Sequence, residues 1–270
     1  MLAWDQLGQA SGATAASFNP DVEIVVARFR EDVTWLKDAP YNRYRQTIYS
    51  KVPSVNPCAE QTVCNVRYLE NIGRESHTYL SHIIDNYDNL ADVTVFLPGS
   101  ATDKLKIDKT LNAMAHIHDY PGTVFPSDSY GEGVSVKFND FSIAEWQSTN
   151  DANRAVNRES TLDTCAERPF GNWYKKNFPD LPRITPVAWN GIFAVARDHI
   201  HNHPKEYYQN LLPYLTTSSN PECGHYFERA WGAIFYPYPE QCIYQIASSS
   251  AQSSVGIWAI FALTVGFYLF

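Results

Sequence analysis

The spacing of apolar positions along this chain changes several times, and each change predicts an element. Val22-Glu-Ile-Val-Val-Ala-Arg28 is β-branched and nearly continuous, the pattern of a strand buried on both faces. Phe29-Arg-Glu-Asp32 turns off it, and residues 33–36 begin a short helix. Residues 45–51, with Ile48 and Tyr49 among them, read as a second strand, followed by a loop containing Pro and Cys. Gly73 and Arg74 then open a helix on which Tyr79, Leu80, Ile83, Ile84 and Tyr87 recur along one face. Residues 93–97 form the third strand. The order strand–helix–strand–helix–strand calls for a parallel sheet with right-handed crossovers, so the first half reads as a nucleotide-binding α/β layer.

The middle of the chain, residues 100–182, is less regular. Residues 105–116 read as helical, 134–138 alternate like an edge strand, and 150–172 are polar and rich in loop formers. Regularity returns with a strand at 192–196. Pro204 suits the first position of a helix whose inner face is Tyr208, Leu211, Leu212 and Leu215. A last helix over 224–235 turns Phe227, Trp231 and Ile234 inward. No internal repeat interrupts this order, and residues 21–246 read as a single α/β domain.

Composition narrows the function classes. With 270 residues, 44% apolar and 14% aromatic, the chain can bury a substantial core. A net charge of −8 and the absence of any Lys/Arg run exclude a nucleic-acid surface. The five cysteines, Cys58, Cys64, Cys165, Cys223 and Cys242, show no CxxC or zinc-like spacing. Cys58 with Cys64 and Cys223 with Cys242 are possible disulfides that leave Cys165 odd. Five free buried thiols are the other reading.

The two ends differ from the rest. Residues 1–20 are rich in Ala, Gly and Ser and read as a disordered leader. After Glu240 no residue is charged; 247–254 are small and polar, and 255–270 form an almost wholly apolar tail. As a helix that tail spans roughly 24 Å, short of the roughly 30 Å of a hydrocarbon core. Small residues, a polar spacer and an apolar tail match a GPI-attachment signal with its site near residues 248–250. Residues 1–20 lack the apolar core of a signal peptide. The alternatives are a tail anchor facing the cytosol and a packed core element. The expectation is membrane association through the tail, in the secretory pathway or at the cell surface, with a cytosol-facing anchor as the other side.

Four clusters carry candidate chemistry. Arg28, Glu31 and Asp32 end the first strand, where ligands of open α/β sheets bind; a solvated turn with an Asp cap is the structural alternative. Asn71, Gly73, Arg74, Glu75 and His77 crowd a helix start, whose free N–H groups suit an anion that Arg74 would pair. A capped helix with a surface Arg–Glu pair is the alternative there. His116, His118 and Asp119 offer metal-ligand types, although polar loop histidines are the favoured reading. Glu228, beside Arg229 and between Phe227 and Trp231, would carry a raised pKa and serve as a general base; otherwise it is a structural ion pair. There is no Walker-type loop and no nucleophile elbow.

Val25-Val-Ala-Arg28 with Glu31-Asp32 and Trp35-Leu36, Asn71-Ile-Gly-Arg-Glu75 with Tyr79-Leu80, Asp92-Val-Thr-Val-Phe-Leu97, Phe193-Ala-Val195 and Glu228-Arg229-Ala-Trp231 together resemble the domain of unknown function 3431 family. That family's pattern is itself similar to GT-A-type glycosyltransferases. The resemblance implies a single GT-A-like, Rossmann-like α/β domain with a mostly parallel central sheet flanked by helices, followed by the hydrophobic tail. It implies transfer of a sugar from a nucleoside-diphosphate sugar to a glycan or protein acceptor. Arg28, Glu31, Asp32, Asn71, Gly73, Arg74 and Glu75 would hold the nucleotide and diphosphate, and Glu228 would be the base. Metal-dependent GT-A enzymes carry an Asp-x-Asp after a central strand; here Pro98-Gly-Ser100 follows instead. Either Arg and helix N–H groups meet the diphosphate, or His118 and Asp119 supply a manganese or magnesium ion. Outside transferases, a non-catalytic carbohydrate-binding or surface-interaction protein is the main alternative, and a metal-dependent hydrolase the third.

Overall fold

The computed structural model describes residues 20–52, 64–127, 137–143, 162–181 and 186–246. The leader, the tail, Cys58 and most of the strand expected at 134–138 lie outside these residues.

Strand β1 (Val22–Arg28) is central, with β2 (Arg45–Ser50) on one side and β4 (Val93–Pro98) on the other, both parallel to it. β3 (Cys64–Tyr68) pairs parallel with β2 at the edge. Alternate side chains of β1 enter different cores: Val25 and Ala27 pack on one face, Ile24 and Val26 on the other. A strand covered on both faces has no solvent side to keep polar, which explains the apolar run from Ile24 to Ala27.

β3 went unrecognised in the sequence because its residues alternate only between exposed and half-buried. It shows neither the continuous apolar run of an inner strand nor a clean apolar/polar alternation. The link from β1 to β2 also differs from expectation. Two 3-10 turns, Thr34–Lys37 and Tyr41–Arg43, carry it.

Helix α1 (Arg74–Asn86) follows β3, and α2 (Ile107–His116) follows β4. Every residue from Ser76 to Ile84 is buried, so α1 is enclosed by more than the sheet. Further along come β5 (Phe125–Ser127), β6 (Leu162–Asp163), α3 (Phe170–Asn177), β7 (Phe193–Ala196), α4 (Arg197–Ile200), α5 (Lys205–Leu211), β8 (Asn220–Pro221), α6 (Glu222–Ile234) and β9 (Ile243–Gln245). β7 joins the sheet beside β4 but runs antiparallel, giving the order β3-β2-β1-β4-β7. The sheet is therefore mixed and mostly parallel. Its parallel strands all end at one edge, and the order reverses direction between β1 and β4.

The α1 side is the larger core. Tyr79 lies against Phe96, Phe193 and Trp231, at ring separations of 4.8, 5.8 and 5.9 Å. Trp231 comes from α6, so this aromatic cluster fixes α6 over the sheet beside α1. α6 is further fixed by a disulfide between Cys165 and Cys223. That pairing corrects the expected Cys223–Cys242 bridge; Cys242 is a buried free thiol. Glu222 is fully buried and accepts from the Ile143 and Cys165 backbone N–H groups at 2.8 and 2.9 Å, with Arg168 also at 2.8 Å. Among the described residues no helix is long and apolar enough to cross a membrane.

Candidate functional site

In an open α/β sheet, the crevice where strand order reverses, beyond the carboxyl ends of the strands, is the geometrically favoured ligand site. Here that place lies between the ends of β1 and β4. Arg28 ends β1; its Nε–H donates to the Glu31 carbonyl at 2.9 Å and a terminal N–H to Ser50 Oγ at 3.1 Å. The guanidinium thus spans the ends of β1 and β2. Trp35 Nε1–H donates to the Gly99 carbonyl at 3.0 Å, tying the loop after β1 to the end of β4.

The neighbouring carboxylates have a different role from the one expected of them. Glu31 Oε2 accepts the backbone N–H groups of Phe29 and Arg30 at 2.7 and 3.1 Å. A Cβ on Gly99 would lie 2.9 Å from that oxygen, so Gly99 leaves room for the folded-back side chain. Asp32 accepts the N–H and hydroxyl of Thr34, each at 2.9 Å, and those bonds hold its carboxyl below the usual range. Both acids build the turn, and it is Arg28 that remains the ligand candidate of this loop.

The second wall is the start of α1. Gly73 has φ +60°, and a Cβ there would fall 2.3 Å from the Leu215 carbonyl oxygen. Arg74 follows with φ +50°, a left-handed conformation that costs a non-glycine residue free energy and recurs at functional sites. The turn is held from below by Lys51, whose ammonium donates to the carbonyl oxygens of Ile72 and Arg74. Burial pushes the Lys51 pKa down to about 8, the Arg74 charge contributes, and Glu75 opposes it. Arg74 reaches Asn220 Oδ1 at 3.2 Å and Glu75 at 3.6 Å. Lys106, beyond the end of β4, donates to Ser100 Oγ, and its charge acts on Glu75.

Glu75 and Glu228 have opposite electrostatic outcomes. Burial alone would raise Glu75, but Arg74, its own backbone N–H, Lys106 and Lys51 outweigh it and hold the carboxyl below its ordinary value. Burial raises Glu228 above its ordinary value, and the Glu75 charge adds to the rise against Arg229, the Asn190 N–H and Arg74. Their side chains are nevertheless 34% and 24% exposed, so both carboxyls reach solvent. Glu228 accepts the Asn190 N–H at 2.5 Å, and Asn190 is a second non-glycine residue with positive φ, +66°. Glu75 is thus held ionised beside Arg74, and Glu228, with its raised pKa, is the candidate proton acceptor of the pair.

Arg229, adjacent to Glu228, points elsewhere. Its guanidinium lies 3.7 Å from the Phe141 ring centroid and 4.9 Å from that of Trp189, and is 3.9 Å from Glu228. It serves as a buried aromatic-caged cation behind the cleft. His225 and His77, also buried, are pushed down to about 3 and 4; burial is the main cause, helped by Arg74 and Arg229 for the first and by Lys51 for the second. Both are neutral at pH 7. Asn71 is exposed on the loop between β3 and α1.

His118 and Asp119 lie apart from all of this. They follow the carboxyl end of α2, which the βα connection returns to the opposite, amino edge of the sheet. The His118 ring meets the Tyr44 hydroxyl at 3.0 Å, and Asp119 meets His116 at 2.7 Å and Tyr244 at 3.3 Å. Among the described residues no group of three or more His, Cys, Asp or Glu side chains is placed to hold a metal ion. The pair does not fit a metal that would serve the cleft.

Of the sequence candidates, Arg74, Glu75 and Glu228 act on one another electrostatically, joined by Lys51 and Lys106, while Gly73 shapes their turn and Arg28 lies beside Lys51 through Ser50; together they form the candidate cleft. Both lysines carry a sequence signal: each stands just past a parallel strand, Lys51 immediately after β2 and Lys106 in the loop between β4 and α2. A family model described as "Protein of unknown function (DUF3431)" matches residues 24–250. No curated protein and no solved structure matches the chain.

Proposed function

The chain belongs to the DUF3431 family, and we propose that its cleft binds a nucleoside-diphosphate sugar and transfers the sugar to a hydroxyl of a glycan or protein acceptor. The observation that carries this reading is the set of cations at the carboxyl edge of the mostly parallel sheet: Arg74, Lys106 and Lys51 all act on Glu75, Lys51 holds the Arg74 carbonyl, and Arg28 bonds Ser50 beside Lys51. Four cations at one edge of a protein with net charge −8 favour a compact, multiply charged anion. A diphosphate has the charge and the oxygens to meet them, and the amino end of the α1 helix, beside Arg74, favours an anion.

The chemistry follows from the two carboxylates. Glu228, ionised, takes the proton of the acceptor hydroxyl as that oxygen bonds to the anomeric carbon. The bond from the anomeric carbon to the diphosphate oxygen breaks, and its electron pair leaves with the diphosphate. Arg28, Lys51, Arg74 and Lys106 stabilise that developing charge in place. Glu75 stays ionised and orients Arg74.

A thermal-shift screen against nucleoside-diphosphate sugars, with and without manganese, tests this. Stabilisation by a nucleotide sugar that is lost in Arg74→Ala is the expected outcome. No response to any nucleotide defeats the proposal, and stabilisation by a free glycan alone points to the non-catalytic carbohydrate-binding module.

A further inference from the structure

The pairing register fixes where the chain leaves the domain. Val95 is level with Ala194, and Ala194 bridges antiparallel to Val124, so Val124 is level with Val95. β5 continues from there in the direction of β4, and β9 runs parallel to it with Gln245 opposite Ser127. The Ile246 N–H then donates to the Ser127 carbonyl at 3.1 Å. Residue 246 therefore leaves at the carboxyl edge, level with the end of β4, which is the edge that carries the cleft.

Only residues 247–254 separate this exit from the uncharged apolar run 255–270. Fully extended, they reach about 27 Å, against the roughly 45 Å across a domain of this size. The same edge carries an exposed apolar tip. Leu105, 73% exposed, projects from the loop after β4 between Lys104 and Lys106. Tyr68, 53% exposed, ends β3. A leucine between two lysines and, farther along the same edge, an amphipathic tyrosine are side chains that settle into an anionic lipid–water interface.

We propose that the carboxyl edge of the sheet faces an anionic lipid bilayer, with Leu105 and Tyr68 at the contact, so that the cleft opens toward a substrate carried by that membrane. The statement about substrate rests on the transfer reading above; the membrane contact does not.

The test uses the full chain on vesicles of phosphatidylcholine and phosphatidylserine. Leu105→Cys at the carboxyl edge and Tyr120→Cys, an exposed residue near the amino edge, each receive an environment-sensitive fluorophore. The label at 105 should lose most of its emission to a spin-labelled lipid, while the label at 120 responds only to aqueous iodide. Leu105→Glu should weaken vesicle binding several-fold and Tyr120→Glu should leave it unchanged. Equal lipid quenching at the two positions, deeper quenching at 120, or no vesicle binding overturns the proposal. Since no nucleotide is present, none of these outcomes bears on diphosphate binding, which the thermal-shift screen decides separately.

Discussion

Lys51 donates from its ammonium to the carbonyl oxygen of Arg74, so a charge at the end of β2 holds the left-handed turn that opens α1. The bond couples the protonation of one buried lysine to the direction of the arginine that faces the cleft.

A pH dependence follows from it. Lys51 has its pKa lowered to about 8, whereas a terminal phosphate loses its last proton with a pKa of about 6 and is largely ionised by pH 7. Raising the pH from 7 to 9 removes the ammonium, and affinity for uridine diphosphate should fall about tenfold, the worth of one charge-assisted hydrogen bond. Titration calorimetry across this range measures it. Lys51→Met should bind weakly at both pH values and show no break. A wild-type affinity that stays level from pH 7 to 9 contradicts the coupling.

Glu228→Gln should lower sugar transfer by about 10²–10⁴-fold, the usual contribution of a general base, while leaving diphosphate affinity unchanged. As a base, Glu228 must be ionised, and its pKa is raised. Activity should therefore fall with decreasing pH earlier than a carboxyl at the ordinary 4.5 would dictate. Steady-state rates across pH check both points, and full activity in the Gln variant removes Glu228 from the mechanism.

Two glycines should respond oppositely to alanine. At Gly73 a Cβ meets the Leu215 carbonyl at 2.3 Å on a left-handed backbone, so Gly73→Ala should cost about 2–4 kcal/mol. At Gly224, inside α6, the nearest atoms to an added Cβ are 3.9 Å away. Gly224→Ala should therefore stabilise the fold by about 0.5–1 kcal/mol. Thermal denaturation of the two variants measures the contrast, and a Gly73→Ala protein as stable as wild type argues against the strained turn.

Stability should fall on mild acidification. His77, His82 and His225 are buried and neutral, with pKa values pushed down to about 4, 4 and 3 mainly by burial. In the unfolded chain each binds a proton near pH 6.5. Below that pH the unfolded state holds more protons, so stability declines from about pH 6.5 toward pH 4. The urea midpoint should drop between pH 7 and pH 5, before carboxylates titrate. A flat midpoint over that interval would show that these histidines protonate freely in the folded state.

The strands that were readable in the sequence are those whose side chains face two cores. β1, β2, β4 and β7 are apolar enough to announce themselves, and α1, α5 and α6 carry periodic inner faces. β3 was not readable, because an edge strand half in solvent keeps no period. The left-handed Arg74 could not be seen either, since its turn is held by Lys51 and packs Gly73 against Leu215, both far away in sequence. The cleft was partly legible: Gly73 and Arg74 stood out by crowding, while Glu31 and Asp32 drew attention for the same reason and proved to be turn-builders. Spacing alone cannot tell a carboxylate that binds a ligand from one that binds its own loop. The expected Cys223–Cys242 bridge failed for a similar reason, since only packing brings Cys165 to Cys223, whereas Cys64 is disulfide-bonded.

The central claim is that the cations at the reversal point of the sheet hold a diphosphate, and calorimetric titration of uridine diphosphate into the full chain and into Arg74→Ala tests it most directly. Saturable one-to-one binding in the wild type, weakened at least tenfold in Arg74→Ala and retained in His118→Ala, is the predicted result. No heat of binding in the wild type, or equal affinity in Arg74→Ala, would contradict it.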